Sequence, residues 1–76
     1  SNMEPQYMMV RAIVQARQGQ VAEAREQWQR LLAYTRQPAD ATPERVLGRF
    51  IITPIVIQRA SAALRDAGVV PAKAAP

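Results

Sequence analysis

AIVQARQGQVAEAREQWQRLL, residues 12–32, decides the fold, because it reads as two amphipathic helices folded back on each other around Gly19. After the glycine, Val21, Ala24, Trp28, Leu31 and Leu32 recur at the three-to-four spacing that lines one helical face. Glu23, Arg25, Glu26, Gln29 and Arg30 fall on the other face, with Glu26 and Arg30 four apart in the order that favours an ion pair. A helix is therefore expected over about 21–36, with Trp28 as its anchor, since so large a ring gains most from burial. Before the glycine, Pro5 suits a first helical turn and no breaker intervenes, which predicts a helix over about 5–18. Tyr7, Met8, Met9, Val10, Ala12, Ile13, Val14 and Ala16 make that helix apolar on more than one side, so it must pack centrally or meet another chain.

Working outward, Gln37-Pro38-Ala39-Asp40-Ala41 lacks periodicity and reads as a linker. Thr42, Pro43 and Glu44 then supply a cap, a first-turn proline and a negative charge at the positive helix end, predicting a helix over about 43–52. Thr53-Pro54 repeats that start signal, and a fourth helix is expected over about 54–67, stopped by Gly68. The alternative is one long helix kinked at Pro54. VVPAKAAP, residues 69–76, reads as a flexible Pro/Ala tail, and Ser1 and Asn2, ahead of Met3, as an expression scar that makes Met3 the expected authentic start. The expected architecture is all-α: a single domain over 3–68, with four short helices in two stacked antiparallel hairpins.

A 76-residue chain removes only about 60% of its unfolded surface from water on folding, and the absence of Cys and His closes the disulfide and zinc routes to extra stability. Self-association is the route left. Nine of the ten basic residues are Arg, scattered among six acids; the net charge of +4 attracts polyanions loosely, but scattered charge describes solvated helix faces better than a binding stripe. No catalytic dyad, metal cluster, glycine-rich phosphate loop or membrane-length apolar run exists, so no enzyme, no cofactor, no small-molecule substrate and no membrane insertion are expected. The absence of Cys agrees with a cytoplasmic location.

Residues 5–38 resemble one unit of the tetratricopeptide family: Gly19 stands at the turn, Ala12 and Ala24 at the small positions, Trp28 at the large ring, and Leu31 and Pro38 near the later apolar and closing positions. Arg11 and Gln15 depart from the family by standing where it places large apolar residues. The resemblance implies a groove along the first helix that takes a peptide or partner helix, with Gln6, Met9, Ile13 and Arg17 facing it. Residues 43–70 more distantly resemble a bacterial winged helix-turn-helix, through Val46, Leu47 and Phe50, the capping Thr53, then Ile57, Leu64, Gly68, Val69 and Val70. That resemblance implies DNA contact through Pro54, Ile55, Gln58 and Arg59, with Arg49 and Arg65 on phosphates. Ile51 in place of the turn glycine and the apolar start Pro54-Ile55-Val56 depart from it, because base readout needs donors and acceptors.

The expected function is a small cytoplasmic, bacterial protein–protein interaction module, binding through Gln6, Met9, Ile13 and Arg17 and through Phe50 and Ile55, with a homodimer the expected form of self-association. The alternatives are a helix-turn-helix regulator using Arg49, Gln58, Arg59 and Arg65, or a purely structural homo-oligomer.

Overall fold

The computed structural model describes residues 3–73. It is all-α, with α1 at Glu4–Arg17, α2 at Val21–Tyr34, α3 at Pro43–Leu47 and α4 at Pro54–Asp66, and no strand among the described residues. Proline occupies the first turn of α1, α3 and α4, where its missing N–H costs nothing. Thr42 caps α3, its Oγ1 accepting from the Arg45 N–H at 3.3 Å. Thr53 precedes α4 without any such side-chain bond.

Three helices end in the same device. In α1 the Gln20 N–H reaches back to the Gln15 carbonyl at 2.9 Å, in α2 Gln37 to Leu32 at 2.9 Å, and in α4 Val69 to Leu64 at 2.9 Å. The residue just before each donor carries a positive φ: Gly19 at 77°, Arg36 at 55° and Gly68 at 81°. Arg36 meets this demand without being glycine, and α2 stops at Tyr34 rather than running on to 36.

α3 is half the expected length. After Leu47 the chain passes through tight turns, with Phe50 and Ile51 both donating to the Leu47 carbonyl at 2.9 Å, and Thr53 is then extended at ψ 111°. The ring of Pro54 disfavours a helical residue before it, so α3 and α4 are separate helices and not one kinked rod.

α1 and α2 pack along each other, and α4 lies against both α1 and α3. Ala12 and Ala24, fully buried, provide the small side chains that let helix axes approach closely. Around them the core is built from Met9, Trp28, Leu31, Leu32, Val46, Leu47 and Leu64. Trp28 is 2% exposed, the interior anchor its spacing predicts. Glu26 and Arg30 make their ion pair at 3.3 Å on the solvent face.

The end of the domain needs correction. Val69 and Val70 are not a tail but core residues, 7% and 5% exposed. Arg25 of α2 holds them in place, its Nε and Nη2 donating to the Gly68 carbonyl at 3.0 and 2.9 Å. The domain therefore extends at least to Val70; Pro71 to Lys73 are exposed, and 74–76 lie outside the described residues.

Candidate functional site

The feature that bears on function is a second apolar track on α1. Pro5, Met9, Ala12 and Ala16 are buried, at spacings of four, three and four. Met3, Tyr7, Val10 and Val14 repeat the same spacing two residues earlier, and they are 61%, 59%, 52% and 43% exposed. Two residues correspond to about 200° around a helix, so the second track lies opposite the core and faces solvent.

Polar contacts stiffen this outer face. The Arg11 guanidinium lies 5.6 Å from the centre of the Tyr7 ring, and its Nη1 donates to the Tyr7 hydroxyl at 3.3 Å. Buried Gln15 supports Arg11: with its amide oriented to satisfy both ends, its oxygen accepts from Arg11 Nη2 at 3.1 Å and its nitrogen donates to the Glu23 carbonyl at 3.2 Å. Met3, Gln6, Tyr7 and Val10 enclose a shallow depression of about 330 Å³. Gln6 Oε1 is shielded from solvent there without a hydrogen-bond donor.

A second apolar surface lies around the start of α4, where Ile52 is 94% exposed, Ile55 50% and Val56 46%. Phe50, from the same segment, is half-buried and packs against the core.

A third feature is a cleft of about 440 Å³ between the start of α3 and the chain after Val70. Arg65 Nη2 donates to Glu44 Oε1 at 2.7 Å across it, and Nη1 makes a second bond to Glu44 Oε2. The bond from Arg65 holds the Glu44 carboxyl below its ordinary value, and Glu44 raises Arg65 in return. Asp40 and Glu44 line the cleft together with Arg65 and Lys73, so its charges balance.

The expected contact residues do not form one surface. Met9 is core, 7% exposed, and offers nothing to a ligand in this fold. Ile13 is half-buried against the core, Gln6 lies in the α1 depression, and Arg17 is exposed at the end of the helix. The groove expected along Gln6, Met9, Ile13 and Arg17 is turned roughly a quarter turn from the exposed track. Tyr7, Val10 and Val14, which make the helix apolar on more than one side, take the exposed position together with Met3. Of the residues expected on DNA, Arg49, Gln58 and Arg59 are exposed, whereas Arg65 is occupied by Glu44.

Among the described residues no group of His, Cys, Asp and Glu could hold a metal ion, and no helix is long and apolar enough to cross a membrane. Compared with protein-family models, curated proteins and solved structures, the chain matches none. Among the described residues, fold and surface together define an all-α domain of four helices that carries apolar side chains outside its core as well as within it.

Proposed function

We propose that this domain is a non-enzymatic protein–protein interaction module of the cytoplasm, an adaptor or assembly subunit built on a tetratricopeptide-like helical pair. The outer track of α1 carries this reading. Scattered exposed apolar residues are ordinary, but three in register on α1, continued by Met3 at its N-cap, make a continuous strip of the kind that a partner helix covers. Catalysis has little support, because the chain has no His and the Glu44 carboxylate in the cleft is paired with Arg65. The helix-turn-helix alternative is weakened by the same pairing and by Ile55 and Val56, apolar residues where a recognition helix needs polar ones.

A photo-cross-linking side chain placed at Val10, at Ile55 or at Gln29 on the polar face of α2 tests this in the native cell. Protein adducts are expected at position 10 or 55 and not at 29. Equal labelling at all three, or duplex DNA binding that falls steeply with salt, would contradict it.

A further inference from the structure

We propose that the occupant of the outer face of α1 is a second copy of this chain, its α1 running antiparallel to the first. This rests on the interaction-module reading and names its partner. The geometry of the track carries it. Met3, Tyr7, Val10 and Val14 follow the four-three-four spacing of a coiled-coil seam, and that spacing reads the same in both directions. An antiparallel copy therefore sets Met3 against Val14 and Tyr7 against Val10, then repeats both layers across the twofold axis. Every exposed apolar residue on the track meets another.

The depression on this face has the shape such a copy requires. Met3, Gln6, Tyr7 and Val10 stand at i, i+3, i+4 and i+7, the four residues that form a hole for one incoming side chain. In the antiparallel register that side chain is Val10 of the second copy. The next hole, formed by Tyr7, Val10, Arg11 and Val14, receives Tyr7 of the second copy. Knob and hole are the same residues on both chains, as a twofold interface demands.

Charge agrees with the same register. Glu4 and Arg11 are seven apart and flank one side of the seam, so an antiparallel copy faces each Glu4 with an Arg11. Antiparallel helices also oppose their dipoles, whereas parallel copies would align them. A 14-residue helix is about 21 Å long, and one pair of that length covers less than the roughly 1,200 Å² of a standard interface. A contact of that size makes a weak dimer that exchanges with monomer.

Cysteine pairing reads the register directly, since the natural chain has no Cys. Met3→Cys and Val14→Cys chains, mixed and mildly oxidised, are expected to form a mixed disulfide dimer, while Met3→Cys alone forms little. Disulfide formation by Met3→Cys alone, without the mixed product, indicates a parallel pair and overturns the proposal. A charge swap gives a second readout free of disulfide chemistry. Glu4→Arg or Arg11→Glu alone weakens association by about three- to tenfold, and the two together restore it. Failure of the double variant to recover, with helicity unchanged, overturns the proposal as well. Monomer at every concentration tested also overturns it, yet leaves the interaction-module reading intact if photo-adducts to other proteins still form at position 10. That reading falls when no such adduct forms at 10 or at 55, as it does on equal labelling at 29 or on salt-sensitive duplex DNA binding.

Discussion

The two sides of α1 share one rhythm and meet opposite fates. On the inner side, Ala12 and Ala16 are small enough for neighbouring helices to close over them, and the track disappears into the core. On the outer side, Tyr7, Val10 and Val14 stand in the same rhythm and remain about half exposed. Periodicity alone thus marks a face as apolar without saying whether the same chain buries it. What separates the two cases is the close crossing that Ala12 and Ala16 admit, with Met9 packed beside them in the core; the outer track has no such small pair.

The contrast can be broken most severely from within. Leu31 is fully buried, and Leu31→Ala should cost about 2–5 kcal/mol in urea unfolding. That is a large fraction of the roughly 4–11 kcal/mol expected of a domain this size. A size change sharpens the contrast further. Ala12→Leu overpacks the inner crossing and should cost about 1–3 kcal/mol, whereas Val10→Leu on the outer track should change monomer stability by no more than about 0.5 kcal/mol. Equal effects at the two positions would mean that the faces are not distinct.

The inner side is closed at its far end by the turn after α4. Gly68→Ala should destabilise by about 1–2 kcal/mol, because an L side chain resists a φ of 81° while its added Cβ meets only Arg25 Nη2 at 3.7 Å. Arg36→Gly at the matching turn after α2, where φ is 55°, should act in the opposite direction by about 1 kcal/mol. Thermal unfolding of the two variants checks both signs.

A small, pH-dependent effect belongs to Glu44. Its carboxyl titrates below the ordinary 4.5 in the folded chain, so its pairing with Arg65 stabilises the fold above about pH 4.5 and is lost as pH falls further. The Glu44 side chain is 38% exposed, and screening limits the contribution to at most about 1 kcal/mol. Glu44→Gln should flatten that part of the acid limb in a pH series of unfolding curves.

Much of this was legible in the residues themselves. The all-α class, the hairpin around Gly19, the interior place of Trp28 and the proline starts at 43 and 54 follow from local signals that packing then reinforces. The boundaries that moved did so where tertiary or turn chemistry outweighs composition. Arg36 takes a backbone shape usually left to glycine, and after Leu47 the chain turns, Phe50 and Ile51 donating to the Leu47 carbonyl, before Thr53 extends ahead of Pro54. Val69 and Val70 look like the head of a Pro/Ala tail, since the contact that fixes them, Arg25 to the Gly68 carbonyl, spans 43 residues. Met9 belongs to the core and not to a groove, because the tetratricopeptide register departs in α1 at Arg11 and Gln15 and the helix carries two apolar tracks, Met9 on the inner and Val10 on the outer.

The central claim is that the outer face of α1 is an association surface, and its most direct test is sedimentation equilibrium from micromolar to millimolar concentration. The natural chain, Val10→Glu and Ile55→Glu would be compared, with helicity recorded on the same samples. The natural chain and Ile55→Glu are expected to pass from monomer to dimer across that range while Val10→Glu remains a helical monomer. A dimer that survives Val10→Glu and dissociates with Ile55→Glu would contradict it.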